Sequence, residues 1–144
     1  MMSTDGPEYA CCGWSVHIGH ATTCQHYKSA VYIAGPMRGI PEFNFPAFRA
    51  AAAKLRAEGH EVFNPAERDV ERHGTDISKG NTAGCEEQAA KEHGFDLRTA
   101  LGEDLAWICA KAEAIALLPG WRNSKGATAE HAVAVALGLA VIEL

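Results

Sequence analysis

Two carboxylates lie on the apolar sides of predicted helices, where acidic residues are unexpected. In the segment LGEDLAWI, Asp104 follows Leu101 by three residues and precedes Ile108 by four. Glu130 lies similarly within the apolar segment ATAEHAVAVAL. An ionised carboxylate against an apolar layer costs several kcal/mol unless it is paired or its pKa shifts, although one near a helix start can simply favour the helix dipole. A carboxylate pair over a cleft suits cleavage of a glycosidic bond, because one group attacks or stabilises the anomeric carbon and the other assists the leaving group.

Arg38 is a third candidate, in the turn that ends the apolar run of VYIAGPMRGI. The glycines of this turn do not form the GxGxxG pattern of a dinucleotide site. A later helix is predicted to begin close to Ser124 and Gly126. If the ligand is anionic, the Arg38 side chain, the Ser124 hydroxyl and the helix N-terminus at Gly126 would form a pocket of phosphate type.

These residues depend for their positions on alternating strands and helices. Strands are predicted at 30–35, 60–65, within 112–120 and at 139–144, and helices at about 46–58, 96–111 and 125–137. This alternation predicts an α/β fold, a flavodoxin-like or Rossmann-like three-layer sandwich whose short parallel sheet has about four to five strands and helices on both faces. Ligands of such sheets bind at the carboxyl ends of the strands, where the strand order reverses. The Arg38 turn and the starts of the last two helices should therefore meet at one cleft.

The apolar residues of the last two predicted helices indicate which faces are buried. These residues are Leu97, Leu101, Leu105 and Ile108 in one helix, and Ala127, Val133, Ala134 and Leu137 in the other. Between the second strand and the first of these helices, residues 65–93 are rich in charge, Gly and Ser/Thr. We expect this stretch to be irregular and to act as a lid, an insertion or a mobile segment.

The N-terminal residues show no helical or strand periodicity, so we expect an irregular extension over residues 1–28 and one domain over residues 29–144. Sulfur and imidazole groups in the extension could ligate zinc, but their spacing matches no standard finger. We expect no stoichiometric metal, and the extension is either poorly ordered or folded against the domain. The potential ligands are Cys11, Cys12, His17, His20, Cys24 and His26.

Composition narrows the class of protein. The chain has 144 residues, of which 47% are hydrophobic and 22% charged, which suits one globular domain with a real core. Its net charge of −5 provides no basic surface for a nucleic acid polymer. The longest apolar run is too short to span a bilayer, and we see no signal peptide. Five cysteines at irregular positions favour reduced thiols, so we expect a cytoplasmic protein without a membrane partner.

The segments VYIAGPMRGI, LGEDLAWI and ALLPGWRNSKGATAEHAVAVALGLAVI together resemble the nucleoside 2-deoxyribosyltransferase superfamily, in particular its phage and bacterial branch. The resemblance covers about residues 30–143. It implies that Tyr32 lines the active site and orients Glu130, that Glu130 is the nucleophile, and that Asp104 contacts the base and assists its departure. It also implies that no cofactor or metal is needed, and that the protein is a homodimer or a higher homo-oligomer.

One position separates two branches of this superfamily. Six residues before the nucleophile, transferases that act on nucleosides carry an aspartate, whereas hydrolases of 2′-deoxynucleoside 5′-monophosphates carry a phosphate-binding serine. This chain has Ser124 there, and Gly35, Arg38 and Gly39 match the G-x-x-R-G turn of the hydrolases. The other candidate substrate-binding residues are Met37, Asn123, Gly126 and Trp121, whose ring could stack on a base or pack against the domain.

The resemblance therefore implies an N-glycosidase that acts on a small-molecule nucleotide. A deoxyribosyltransferase that exchanges bases between nucleosides is the first alternative, and a non-catalytic nucleotide-binding or sensing domain is the second. In the hydrolase branch, a neighbouring subunit supplies a further phosphate-binding serine from a segment that follows the fourth strand. The printed sequence has no counterpart of that segment after its fourth predicted strand.

Overall fold

A four-stranded, all-parallel sheet lies at the centre of the computed structural model, which describes residues 28–144. The proposed zinc ligands of the N-terminal extension lie outside the described residues. Along the sheet the strand order is β2-β1-β3-β4, so the order reverses between β1 and β3. The strands are β1 (Ala30–Ala34), β2 (Glu61–Phe63), β3 (Ala114–Leu117) and β4 (Ala140–Glu143).

Five α-helices of the described residues cover the two faces of this sheet and complete a three-layer α/β sandwich, as predicted. Helix α1 lies on one face, and helices α4 and α5 pack against the other. Two short 3₁₀ turns, Pro41–Asn44 and Trp121–Asn123, precede α1 and α5. The helices are α1 (Phe45–Ala57), α2 (Pro65–His73), α3 (Glu86–His93), α4 (Leu97–Lys111) and α5 (Lys125–Ala136).

Strand β1 is buried on both faces, which explains its continuous apolar sequence. Side chains alternate between the faces of a strand, so Val31 and Ile33 join the core beneath α1. Tyr32 and Ala34 point to the opposite core, beneath α4 and α5. In the register of the sheet, Tyr32 lies between Phe63 of β2 and Ile115 of β3. A tyrosine is thereby fixed within the layer where the last two helices pack.

The prediction that residues 65–93 are irregular is wrong, because this stretch contains α2 and α3. Asn64 caps α2 by accepting a hydrogen bond from the Ala66 amide at 2.9 Å. Pro65 occupies the first turn of α2, and Gly74 ends the helix with φ of 70°. The charged sequence did not predict these helices. Helix α2 buries few of its residues, so its sequence has no long apolar stripe.

The segment between α2 and α3 is joined to the turn that follows β1. The Gly39 amide donates to the Gly84 carbonyl at 3.0 Å, and the Glu42 amide donates to the Asn81 carbonyl at 2.9 Å. Gly84 has φ of +60°, and a Cβ atom there would lie 2.3 Å from the Ile40 carbonyl oxygen. Only glycine allows the two segments to approach so closely.

The buried faces of α4 and α5 differ in part from the prediction. Leu97 is 37% exposed and Leu137 is 49% exposed, although both were expected to be buried. The buried residues of α4 are Ala100, Asp104 and Ile108, which recur every four residues. The face of α4 that meets the sheet is therefore centred on Asp104 itself, while the leucines lie at its edges.

Neither a bilayer-spanning helix nor a metal-binding group is found between residues 28 and 144. No helix in this range combines the length and apolarity needed to cross a membrane. No three His, Cys, Asp or Glu residues within it are grouped so that they could hold a metal ion.

Candidate active site

A cavity opens at the carboxyl ends of β1 and β3, where the strand order reverses. Its empty volume, including the open mouth, is about 690 Å³. Aromatic and aliphatic side chains form much of its wall, among them Phe43, Phe48 and Phe95. The predicted residues that line it are Tyr32, Gly35, Met37, Arg38, Asp104, Ser124, Gly126 and Glu130.

Tyr32 and Glu130 form a buried hydrogen bond on one side of this cavity. The Tyr32 hydroxyl donates to Glu130 Oε2 at 2.9 Å. Tyr32 is fully buried, Glu130 is 7% exposed, and the Tyr32 ring stacks on Phe63 at a centroid distance of 5.4 Å. Burial raises the pKa of Tyr32 well above its usual value, and the charge of Glu130 adds to that rise. The hydroxyl therefore stays protonated and available as a donor.

Burial also raises the pKa of the Glu130 carboxyl well above its usual value. The charge of Asp104 raises this pKa further, whereas the hydrogen bond from Tyr32 opposes the rise. Desolvation disfavours the ionised carboxylate, so Glu130 retains a proton at pH values where an exposed glutamate has lost it. Once ionised, this carboxylate is poorly solvated and correspondingly reactive toward an electrophilic carbon.

Asp104 has a pKa of about 7, against an ordinary value of 3.8. Burial is the largest cause, and the negative charge of Asp69 is the next. The Asp104 side chain projects from α4 into the cavity that Glu130 also lines, and the residue is only 8% exposed. A carboxyl group with this pKa can donate a proton near neutral pH.

Asp69, which sequence reasoning missed, is a third carboxylate in the cavity wall. It lies on α2, is 6% exposed and pairs through Oδ1 with the Arg72 guanidinium. Arg72 in turn binds Glu103 Oε1 at 2.6 Å. The Asn64-Pro65 start of α2 was the available signal, because a helix that begins there places Asp69 one turn after the buried Pro65.

The turn after β1 brings Arg38 to the cavity mouth. Arg38 Nε lies 3.3 Å from Glu86 Oε2, and Glu86 also lines the cavity. A second groove adjoins the mouth and shares Met37, Arg38 and Ser124 with the main cavity. Asn123 lines this groove, together with Lys125, which sequence reasoning did not single out.

Ser124 caps α5 at the junction of the cavity and the groove. Its Oγ accepts a hydrogen bond from the Ala127 amide at 3.2 Å. A serine hydroxyl has one proton to donate in addition to its acceptor lone pairs. Ser124 can therefore cap the helix and donate to a ligand at the same time.

Two of the predicted glycines have distinct positions. Gly35 lines the cavity, and a Cβ atom there would lie 2.7 Å from the Leu118 side chain, so the first and third strands continue into loops that pack tightly. Gly39 does not line the cavity. It has φ of +80°, and its amide binds Gly84, so it supports the turn rather than the ligand space.

Trp121 lies in the core rather than in the cavity wall. It is 7% exposed and packs against His131, with ring centroids 4.4 Å apart. The Arg122 guanidinium lies over its outer side, 4.6 Å from the ring. Of the two arrangements considered for Trp121, the structure has the one in which the ring packs against the domain.

Comparison with known proteins gives one match. A protein-family model described as a domain of unknown function (DUF4406) matches residues 29–143. The search of curated proteins and the search of solved structures each returned no match.

Proposed function

We propose that this chain, which belongs to the DUF4406 family, is an N-glycosidase that hydrolyses the base–sugar bond of a 2′-deoxynucleoside 5′-monophosphate. The observation that carries the proposal is the buried Tyr32–Glu130 hydrogen bond in a cavity that Asp104 also lines. A module that only binds a nucleotide gains nothing from two desolvated carboxyl groups beside its ligand, since each costs free energy to bury. An enzyme that uses one carboxylate as nucleophile and the other as proton donor, in contrast, needs both carboxyl groups.

In the proposed reaction, a Glu130 oxygen attacks C1′ of the sugar while the bond from C1′ to the base nitrogen breaks. The bonding electrons leave with the base, and the Asp104 carboxyl group donates a proton to it. Tyr32 holds the attacking carboxylate in place through its hydroxyl. The transition state resembles an oxocarbenium ion, which a nearby carboxylate stabilises.

The second step releases the sugar. Asp104, now ionised, accepts a proton from water as the water oxygen attacks C1′ of the glycosyl ester. The ester bond to Glu130 breaks, which regenerates both carboxyl groups in their starting forms. The products are a free base and deoxyribose 5-phosphate, and the balance needs only water as co-reactant.

The groove beside the cavity mouth is the proposed phosphate site. Arg38 and Lys125 line it, and each contributes a positive charge. The Ser124 hydroxyl lies at its border with the main cavity and has a proton to donate. Charge-assisted hydrogen bonds of this kind are worth about 1.5–3 kcal/mol each. With the phosphate in this groove, the sugar and base would extend into the main cavity toward Glu130 and Asp104.

A deoxyribosyltransferase is the second candidate, and the apolar wall of the cavity favours it. Phe43, Phe48 and Phe95 line the space where the base would lie. Such a wall excludes water, which lengthens the life of a glycosyl ester, and it would stack on a second base. The two candidates share the first step and differ in whether water or a base attacks C1′ in the second.

We also propose a homodimer or higher homo-oligomer in the cytoplasm. The edge strand β4 leaves Val141 44% exposed, and the end of α5 leaves Val135 and Leu137 about half exposed, at 55% and 49%. Among residues 28–144, no strand pairs with the outer edge of β4, and exposed apolar side chains on such an edge favour association. Light scattering of the purified chain tests this proposal, and a monomer at micromolar concentration would contradict it.

The decisive experiment follows base release by chromatography. Purified protein is incubated with each deoxynucleoside monophosphate and with the matching nucleoside, with and without a second free base. We expect release from the monophosphate with kcat/KM at least about tenfold above that of the nucleoside, because one charge-assisted contact supplies one to two decades. Exchange without net release would identify the transferase. Absence of both reactions with every deoxynucleotide and nucleoside would overturn the enzyme proposal.

Two variants test the proposed phosphate site in that assay. Arg38→Ala should reduce the ratio of the nucleotide kcat/KM to the nucleoside kcat/KM by about tenfold or more. Ser124→Asp should reduce the same ratio by repulsion, and it is a clean test because aspartate also caps a helix well. Arg49→Ala is the matched control, since Arg49 is similarly exposed and pairs with Asp76, and neither of these residues lines the cavity. An unchanged ratio in Arg38→Ala would refute the phosphate site.

A further inference from the structure

Glu86 lies beside Arg38, the proposed phosphate-binding arginine, although the two residues are far apart in the sequence. Its carboxylate is 3.3 Å from Arg38 Nε and lines the same cavity. The Arg38 side chain is 47% exposed and the Glu86 side chain 29% exposed, so the pair is partly open to solvent. A surface ion pair of this kind contributes little to the stability of a fold. Its position at the cavity mouth therefore calls for another explanation.

The ion pair uses one particular part of the guanidinium group. Arginine has five N–H donors, one on Nε and four on the two terminal nitrogens. The shortest contact of Glu86 is to Nε, at 3.3 Å. Among residues 28–144, no other carboxylate lies within ion-pair distance of Arg38, so no second acidic group competes for its four terminal N–H donors. Phosphate recognition by arginine commonly uses two parallel N–H bonds, which the remaining donors can provide.

The Glu86 backbone is well anchored. The Asn81 side chain, which is 1% exposed, accepts from the Cys85 amide at 2.7 Å and donates to the Cys85 carbonyl at 2.8 Å. Gly84 contacts Gly39 through a backbone hydrogen bond and leaves no room for a side chain. The residues just before Glu86 are thus fixed to the same turn that carries Arg38.

We propose that Glu86 is a positioning residue that holds the Arg38 guanidinium ready for the substrate phosphate and thereby sets the preference for nucleotides over nucleosides. The proposal rests on the proposed function, since it concerns the same phosphate site. An arginine side chain free in solvent loses rotamer freedom when it binds an anion. Glu86 restricts that freedom before the substrate arrives, so less is lost on binding.

A carboxylate at this position could also act in the opposite sense. Its negative charge would then repel the phosphate and compete with it for Arg38. The two roles predict opposite results when the carboxylate is removed. A positioning residue strengthens the nucleotide preference, whereas a competing carboxylate weakens it.

The test compares Glu86→Ala, Glu86→Gln and the control Glu87→Ala, and measures kcat and KM separately for a deoxynucleoside monophosphate and its nucleoside. Glu87 is the neighbouring acidic residue in the first turn of α3, but it is exposed and does not line the cavity. We expect Glu86→Ala to lower the nucleotide-to-nucleoside ratio of kcat/KM about tenfold, mainly through a higher KM for the nucleotide. Glu86→Gln keeps an oxygen that can face Nε, so it should restore the ratio to within about threefold of wild type. Glu87→Ala should leave the ratio unchanged.

Several outcomes would overturn this inference. An unchanged ratio in Glu86→Ala would make the ion pair an ordinary surface contact, and a higher ratio in both Glu86 variants would make the carboxylate a competitor of the phosphate. An equal loss of the nucleotide-to-nucleoside ratio in Glu87→Ala would show that the effect comes from the change in net charge and not from the contact with Arg38. A wild-type enzyme without any nucleotide preference would overturn the proposed phosphate site and this inference with it. The wild-type measurement therefore distinguishes failure of the proposed function from failure of the role proposed for Glu86.

Discussion

The Tyr32 hydroxyl and the Glu130 carboxylate are 98 residues apart in the chain and form a buried hydrogen bond of 2.9 Å. This bond joins the first strand to the last helix at the carboxyl edge of the sheet. It lowers the pKa of Glu130, against the larger effect of burial. It therefore helps to keep the proposed nucleophile ionised as well as oriented.

Tyr32→Phe should thus impair catalysis in a pH-dependent way. Loss of the hydroxyl removes the contribution that lowers the pKa of Glu130, so this pKa rises further and the acidic limb of the kcat/KM profile moves to higher pH. We expect a loss of about tenfold or more on the acidic limb, since a hydrogen bond to a charged group is worth about 1.5–3 kcal/mol. The profile is measured by base release between pH 4 and 9. A uniform loss at every pH would show that the hydroxyl orients Glu130 without changing its ionisation.

Asp104→Asn should change the alkaline limb of the same profile. The wild type needs Asp104 protonated to assist the base, so its activity should decline as pH rises through about 7. Asparagine cannot donate that proton, so this decline should disappear, and turnover should fall most for bases that leave poorly. Asp104 is protonated below about pH 7, so it carries no charge on the acidic limb, and that limb, which Glu130 sets, should stay in place in the variant. An equal loss for good and poor leaving groups would mean that Asp104 only binds the base.

Ionisation of Asp104 should also be visible in stability. Its pKa in the native protein, about 7, is above the ordinary 3.8, so the folded state holds this proton more tightly than the unfolded state does. The resulting stabilisation is complete below about pH 3.8 and is lost as pH rises through about 7. At about 1.4 kcal/mol for each pKa unit, the loss is at most about 4 kcal/mol. Urea unfolding should therefore show that Asp104→Asn gains stability relative to wild type between pH 4 and pH 8. A constant difference would contradict the raised pKa.

Asp69→Asn should lower the pKa of Asp104. The Asp69 charge is the second-largest cause of that raised pKa, and its removal also leaves the opposing Arg72 charge less neutralised. The decline of kcat/KM at alkaline pH should therefore begin at lower pH in the variant. Glu71→Gln is the control, because Glu71 lies on the same helix but is exposed and pairs with Arg68. An unmoved alkaline limb would exclude Asp69 from any electrostatic role in the site.

Gly84→Ala should destabilise the fold more than the same change at Gly80. Both glycines have positive φ, but only at Gly84 would the new Cβ atom meet backbone atoms, with the Ile40 carbonyl oxygen 2.3 Å away. Left-handed strain alone costs about 1 kcal/mol, which is the expected effect at Gly80, where nothing lies within 4 Å. We expect about 3 kcal/mol or more at Gly84, measured by denaturant unfolding. Equal costs would mean that the segment before α3 moves away from the turn easily.

The architecture and much of the candidate site could be predicted from the sequence because they follow from periodicity and topology. The apolar runs of β1 and β3 and the spacing in α4 and α5 predict a parallel sheet, and a parallel sheet brings its carboxyl ends to one edge. Arg38 and Glu130 follow the ends of β1 and β3, and Asp104 lies in the helix that starts from the same edge of the sheet, so the sequence predicts that the three lie near one another. Tyr32 was identified through the family resemblance, and the strand alternation then directs it to the face of α4 and α5.

The acidic partners of the site could not be predicted, because they come from residues 65–93. Helices α2 and α3 are short and rich in charged residues, so they lack a long run of large apolar side chains, and their positions depend on caps and on contacts of the segment between them with distant backbone. The sequence therefore does not reveal that Asp69 is buried or that Glu86 reaches Arg38. The position of Trp121 likewise depends on how the loop before α5 packs, since a tryptophan is compatible with both a core and a ligand site.

The sequence by itself thus determined the layers of the protein and the edge at which chemistry can occur, since side-chain spacing along strands and helices is a local property. Only the tertiary structure decided that Asp69 is buried in the cavity wall, that Trp121 packs in the core and that Glu86 pairs with Arg38. Those relationships depend on contacts between residues far apart in the chain. They also depend on burial, which acts on ionisable groups through the surroundings that the whole fold creates.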